Sequence, residues 1–468
     1  MNLSDNKKRH KPLSVFALVM INVIAVDSLR NLTIGAEFGF ALMFFYTAAA
    51  LLFFVPTILI TAELATGWPV TGGSYVWIRE AFGPRLGFFS IWLQWIYNVV
   101  WYPTIFAFIG GVLAYLIDPQ LVDNKFYMLG VILVSFWIMT FINCAGLKTS
   151  SLVSTIGAIF GTILPMLLIA ILGGLWLYWH NVSHINFSLA SFWPQHADLK
   201  NLAFLTNILF GLMGMEMSAV HAGDVANPKR DYPRALFYST FIILATLMFS
   251  SLAISIVIPA QELNLVSGLI DAFKIFFETY HLGYLVPVMA VLIVVGSLSG
   301  AGAWIIGPAR GLLVASEDND LPRFLQKMNN RKMPVGILIT QGVIVTLLCS
   351  AFFIMPTVKS SYWLLSNLTA QLALMFYILL FAAAIRLHHS CSHVERAFKI
   401  PGGSIGIWLV SGTGIITCVV AIIVGFLPPQ QVGVVDLLKY EIILSLGIIA
   451  CCLPPFLFCK RSKTSLAE

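Results

Sequence analysis

Long apolar runs separated by short polar links divide the chain from end to end. They fall near 13–36, 39–62, 85–117, 126–145, 152–179, 202–223, 235–258, 283–315, 335–355, 361–387, 405–427 and 438–459. Each reaches the roughly 20 apolar residues that carry a helix across the hydrocarbon core of a bilayer. The pattern predicts an all-α polytopic membrane protein of twelve transmembrane helices. The third and eighth runs exceed what a bilayer requires, so they are expected to tilt or protrude. No soluble domain or long linker fits between the runs.

Composition agrees with this pattern. Hydrophobic residues make up 59% of the 468 positions and charged residues only 10%, against about 25% charged in soluble domains. So little polar surface cannot cover a core in water, so the solvent is lipid. The 35 Gly and 21 Pro residues suit helices that bend, break and pack closely. Seven Cys with no CxxC or Cys/His spacing give neither a disulfide framework nor a metal site, and Cys451-Cys452 reads as helix packing. The net charge of +6 is scattered between apolar runs and lines no single face, which argues against nucleic acid. Lys7-Lys8-Arg9-His10-Lys11 before an apolar run resembles a signal peptide. No small-residue cleavage site follows, so the run is expected to stay as the first helix.

The basic residues set an orientation. With the N-terminus placed inside, twenty of the 27 Lys and Arg fall in cytoplasmic segments and five, Lys125, Lys200, Lys274, Lys359 and Lys439, in outer ones. Arg30 and Arg310 lie within runs. One missed helix would scramble every later loop, so the split is an internal check on the count. Both termini, 1–12 and 460–468, are expected in the cytoplasm.

Ionisable groups inside a bilayer are expensive, so each needs a reason. Asp27, Arg30 and Glu216 are the deep ones, and Glu63 and Arg310 lie nearer the cytoplasmic ends. Asp27 and Arg30 share a face if the first helix is intact, either as an internal ion pair that locks helices together or as part of a transport pathway. In Phe210-Gly211-Leu212-Met213-Gly214-Met215-Glu216, two glycines three apart weaken a helix near mid-membrane. They serve close packing, or they open an unwound segment whose free carbonyls and amides bind a substrate. Packing needs no carboxylate, so Glu216 favours the second use. Trp92, Trp95, Tyr97, Trp101 and Tyr102 form an aromatic cluster in the third run, with Asn98 beside it. The cluster suits core or lipid interface better than a substrate cage, and Asn98 is the stronger pathway candidate. Trp304 follows the glycine-rich stretch Gly296–Gly302 and is balanced between packing and pathway. His221 reads as a structural hydrogen-bonding residue. There is no phosphate loop, no metal-ligand cluster, no Ser/His/Asp set at one depth and no nucleotide-binding domain. The chain is therefore expected to be no enzyme, to use no cofactor, and to drive any uphill transport by an ion gradient or by exchange.

These residues resemble the amino acid–polyamine–organocation superfamily, and within it the bacterial glutamate/γ-aminobutyrate antiporter group. The likeness covers nearly the whole chain. It rests on Ala62-Glu63-Leu64-Ala65-Thr66 with Gly72-Gly73 and Trp77, and on Met213-Gly214-Met215-Glu216 with His221 and Asn227-Pro228-Lys229-Arg230-Asp231-Tyr232-Pro233. Val257-Ile258-Pro259, Trp304-Ile305-Ile306-Gly307-Pro308-Ala309-Arg310-Gly311, Pro401-Gly402-Gly403 and Phe426-Leu427-Pro428-Pro429 complete it.

The resemblance implies two inverted five-helix repeats, 13–179 and 200–387, a leucine-transporter-like fold, followed by two accessory helices over 404–459. It also implies first and sixth helices broken at mid-membrane around the substrate, with Phe210 as a gating aromatic. Many superfamily members carry Gly-Ser-Gly at the first break, where this chain has Val26-Asp27-Ser28. A charged Asp27 would repel a substrate carboxylate, unless Arg30 compensates or Asp27 takes up a proton. The fifth run also lacks the lysine of some proton-coupled relatives, with Thr155 in that region. The expected function is a secondary amino-acid transporter of a bacterial inner membrane working by alternating access, as an antiporter of glutamate or a related amino acid against its amine. A proton-coupled symporter and an amino-acid sensor are the alternatives. Substrate contacts are expected at Asp27, Ser28, Arg30, Asn98, Phe210, Gly211, Gly214 and Trp304, and proton coupling at Glu216 and Asp27. The expected partners are a small amino acid or amine, protons and membrane lipid, without nucleic acid. Nothing in the sequence sets an oligomeric state.

Overall fold

The computed structural model describes residues 14–68, 73–146, 157, 159–179, 182–194, 199–218, 227–315, 321–429 and 436–458. Among the described residues the long apolar runs are mostly helix, because a bilayer offers no water to satisfy backbone N–H and C=O groups. In chain order the helices that matter here are α1 (Val15–Val26), α2 (Leu29–Ala36), α3 (Gly39–Gly67), α4 (Ser74–Phe82), α5 (Pro84–Ile117), α6 (Lys125–Cys144), α7 (Ile159–Tyr178), α8 (Leu199–Gly211), α9 (Pro228–Val257), α10 (Gly268–Thr279), α11 (Gly283–Val314), α12 (Val335–Ile354), α13 (Val358–Ser390), α14 (Gly403–Gly425) and α15 (Leu437–Leu457).

Among the described residues, ten of these helices are long and apolar enough to cross a membrane, and α1 with α2 makes an eleventh candidate across a 47° bend. The protein is thus an all-helical, multi-pass membrane protein of ten to eleven candidate spans. The sequence pattern alone gives twelve. The difference lies in the sixth run, which forms a shorter apolar helix over Leu202–Ser218, interrupted at 212–214; residues 219–226 lie outside the described residues, and His221 with them.

The bundle has a centre and a rim. In α5 and α13, 78% and 72% of the apolar window is buried, against 22% for α6 and α15. The two enclosed helices run side by side, and α11 packs along α5. On α7 and α11, Gly161 and Gly296 meet backbone to backbone, and a β-carbon on either would fall on the other. Small residues let membrane helices approach this closely. At one end, Glu63 of α3 is tied to the α13–α14 link. Its Oε1 accepts from Arg396 Nη1 at 2.7 Å and lies 3.2 Å from His388 Nδ1, while its Oε2 accepts from Ile400 N–H at 2.8 Å.

Candidate functional site

Both expected breaks are present. At the first, Asp27 (φ −65°, ψ 121°) and Ser28 (φ −135°, ψ 122°) are extended. No glycine is needed, because both angle pairs lie in the ordinary β region. At the second, α8 stops at Gly211 and the chain turns through Gly214 at φ +118°, a conformation that favours glycine. The breaks touch. A β-carbon on Gly214 would sit 3.3 Å from Ala25 O, and one on Gly211 would sit 3.0 Å from Asn31 Nδ2.

Between them lies a cavity of about 100 Å³, walled by both breaks, α5, α7 and α11. Of the expected contacts, Asp27, Ser28, Asn98, Phe210, Gly214 and Trp304 line it. Among the described residues, Asp27 is the only carboxylate on the wall, and no basic side chain lines it. Asp27 Oδ2 accepts from Thr246 Oγ1 of α9 at 3.0 Å, and among the described residues its buried Oδ1 has no partner. Asn98 spends its Nδ2 on Gln94 O, 2.7 Å away in the same helix.

Two expected contacts stand elsewhere. Gly211 does not line the cavity but packs on Asn31, where the absent side chain allows close approach. Arg30 is fully buried behind the wall, donating to Thr104 Oγ1 and Ser366 Oγ at 2.9 Å each and to Asn31 Oδ1 at 3.1 Å. Asp27 and Arg30 are not an ion pair. The break between them ends the helical register that would put them on one face, so Asp27 turns to α9 while Arg30 turns to α5 and α13. Of the aromatic cluster, Tyr97 and Trp101 reach the cavity. Trp92 and Trp95 are core, their Nε1 atoms donating to Cys451 O at 2.8 Å and Gln341 Oε1 at 3.1 Å.

Glu216 belongs to a second, larger cavity of about 560 Å³ with Met217, Gln94 and Arg310. It lies toward the end where the Lys- and Arg-rich links sit, and shares Ile24, Ala25, Gly300 and Trp304 with the first. Trp304 therefore stands on the wall common to both. Glu216 Oε2 accepts from the Tyr377 hydroxyl, and the carboxylate also faces the backbone N–H groups of Gly214 and Glu216.

This arrangement, two broken helices crossing at a small buried cavity with a wider one beside it, fits a solute carrier. A family model for amino acid permeases matches residues 11–450. The chain belongs to the amino acid permease family. Membership makes it a transporter and not an enzyme, implies amino-acid substrates, and implies a leucine-transporter-like fold. The permease is 52% identical over 458 residues to an uncharacterized transporter of Legionella pneumophila subsp. pneumophila, covering 98% of each chain. It is 28% identical over 469 residues to a glutamate/γ-aminobutyrate antiporter of Lactococcus lactis subsp. lactis, covering 98% of this chain and 93% of the relative. A probable agmatine/putrescine antiporter of the same organism is 26% identical over 392 residues, covering 83% and 82%.

Sequence reasoning misses Tyr377, Thr246 and Asn31 of this permease. Tyr377, from α13, accepts from the Gly214 N–H at 2.9 Å while donating to Glu216, and so clips the second break shut. Thr246 and Tyr377 are ordinary residues of long apolar helices, and only the tertiary crossing brings them to the breaks. Asn31 carried a usable signal, since a polar residue one place after a deep arginine has little reason to be there except to meet it.

Proposed function

We propose that this permease exchanges a small amino acid for another amino acid or amine by alternating access, with the cavity at the two breaks as the shared site. The observation that carries the reading is that cavity. It is several times the roughly 10–15 Å³ that a single water needs, which suits a small amino acid or amine such as glutamate, 4-aminobutyrate or putrescine. Asp27 Oδ1 is the ammonium acceptor, Ser28, Asn98 and the backbone at Gly214 orient the ligand, Gly211 lets the breaks cross, and Phe210 and Trp304 close the two sides. Glutamate or a related amino acid against its amine is the exchange favoured by the relatives named as antiporters. Counterflow in proteoliposomes with labelled amino acids and amines tests this. Uptake only when the inside holds a partner solute supports exchange, and net uptake into empty vesicles refutes it.

Proton-coupled symport is the second reading. It is favoured by Glu216, whose buried carboxylate lies at the wider cavity and is placed to carry a proton. Uptake into empty vesicles driven by a pH gradient, and lost in Glu216→Gln, would select it.

The proposed topology is twelve spans, the sixth being the interrupted helix, with repeats over 13–179 and 200–387, accessory helices over 404–459, and the tails 1–12 and 460–468 in the cytoplasm of a bacterial cell with this chain in its inner membrane. The wider cavity then opens toward the cytoplasm. Reporter fusions after Lys125, Asn264 and Lys359 should report outside, and those after Lys148, Lys229 and Asn329 inside; one inversion breaks the repeat scheme.

A further inference from the structure

Arg30 is a cation inside the bundle without an anion. It is 0% exposed, and among the described residues no ion pair includes it. All its acceptors are neutral: Thr104 Oγ1, Ser366 Oγ and Asn31 Oδ1. The rings of Phe210 and Tyr362 lie 5.6 and 5.8 Å from its guanidinium carbon. A guanidinium is a permanent cation, and an uncompensated buried charge is strongly destabilising. Apolar residues of similar volume hold helices together at least as well, so packing alone does not account for it.

The hydrogen bonds show which edge is free. Nη1 is taken by two hydroxyls. On the other edge, Nη2 donates to Asn31 Oδ1, the Tyr362 hydroxyl lies beside the guanidinium, and among the described residues the buried Nε has no hydrogen bond of ordinary geometry. The Nε–Nη2 edge is the fork that a carboxylate occupies with two parallel hydrogen bonds. Asn31 and Phe210, which cover this group, both line the cavity, whereas Arg30 does not. The guanidinium therefore lies one layer behind the cavity wall. It is on the α2 side, away from the wider cavity, which follows α1 at Ile21, Ile24 and Ala25.

We infer that Arg30 is the receptor for the substrate's carboxylate, reached when Phe210 leaves the guanidinium and a carboxylate oxygen takes the place of Asn31 Oδ1. Resting on the cavity as the substrate site, this deepens the exchange reading by naming the substrate class. One partner bears a carboxylate and is selected by Arg30, and an amine without one is not.

The test uses purified full-length protein in proteoliposomes and two matched pairs of probes, ornithine with putrescine and arginine with agmatine, which differ by the α-carboxylate, together with glutamate. In Arg30→Gln the apparent affinity for the carboxylate-bearing member falls about 30-fold or more, the scale of a charge-assisted hydrogen bond. That of the matching amine stays within about threefold, since no guanidinium contact is lost. Arg30→Lys keeps the charge and loses the fork, so it weakens the carboxylate member alone and serves if the glutamine variant does not fold. Equal loss of both members in monodisperse protein, or unchanged affinity for the carboxylate member, overturns the inference and leaves exchange standing. A wild-type chain that exchanges none of the probes overturns both.

Discussion

Replacing Asp27 by Asn removes the one carboxylate that the described residues place on the cavity wall while keeping the side chain's shape. Asp27 Oδ2 is already engaged by Thr246 at 3.0 Å, and Oδ1 is the buried, unpartnered atom, so Oδ1 is the atom an ammonium meets. A hydrogen bond to a charged group contributes about 1.5–3 kcal/mol. At about 1.4 kcal/mol per decade this predicts a 10- to 150-fold rise in KM for putrescine or 4-aminobutyrate in Asp27→Asn. The Asn carbonyl can still accept one bond, which favours the lower half of that range. Counterflow kinetics in proteoliposomes at fixed pH read the effect. Thr246→Val is the control: it removes the donor on Oδ2 and leaves the charge, so amine KM stays within about threefold. A monodisperse Asp27→Asn protein whose amine KM lies within about twofold of wild type refutes the assignment. So does a Thr246→Val variant that fails in the same way as Asp27→Asn, because the carboxylate would then matter only for its bond to α9.

The tie between Glu63 and the α13–α14 link gives a stability prediction. Arg396→Ala leaves a buried carboxylate with only Ile400 N–H and His388, and breaking a buried pair in this way costs about 3–5 kcal/mol. A lower melting temperature in detergent is expected, and a melt unchanged from wild type refutes it. Two buried carboxyls near α2 and in α10 predict a pH dependence. Burial pushes the carboxyls of Glu37, just past α2, and Asp271, in α10, up to about 7 each, against the opposing pull of Lys359 and Lys274. Unfolded, both return to ordinary carboxylate values near 4. The folded chain then holds more protons between about pH 4 and 7, so stability falls as pH rises through that window and levels off above it. Glu37→Gln combined with Asp271→Asn should flatten this slope in melts taken from pH 4.5 to 8; an unchanged slope refutes the assignment.

Much of this architecture can be read from local pattern, because a membrane span is a local property. Twenty apolar residues in a row suffice, and ten of the expected runs appear as continuous helices. The second break is legible for the same reason, since Gly214 at φ +118° leaves its mark in the sequence as a glycine. The first break is not legible from the residues alone. Asp27 and Ser28 are extended without any residue that demands it, and reading straight through them puts Asp27 and Arg30 on one face. Glu216 and Gly214 are visible as a carboxylate and a weak point, but the clip that joins them, Tyr377, sits 161 residues further along the chain from Glu216. Position in sequence marks which groups are costly and therefore used. Which neutral partners hold them is decided by helix crossings.

The separation of Asp27 from Arg30 also bears on the exchange proposed above. In the form described here both groups are buried, and neither has a partner of opposite charge among the described residues. A charge left this way costs several kcal/mol, a cost that a carboxylate, unlike a guanidinium, can avoid by holding a proton. A ligand with an ammonium and a carboxylate answers both at once, so occupancy removes a penalty that the empty protein carries. An amine answers only Asp27, and leaves Arg30 behind Phe210, where hydroxyls and rings already surround it. On this reading the step most disfavoured is passage of the empty protein between its two faces, with neither group answered by an opposite charge. A carrier that must return empty needs that step to be fast. A carrier that returns loaded does not, so two unpaired charges on opposite sides of one break favour exchange over one-way transport.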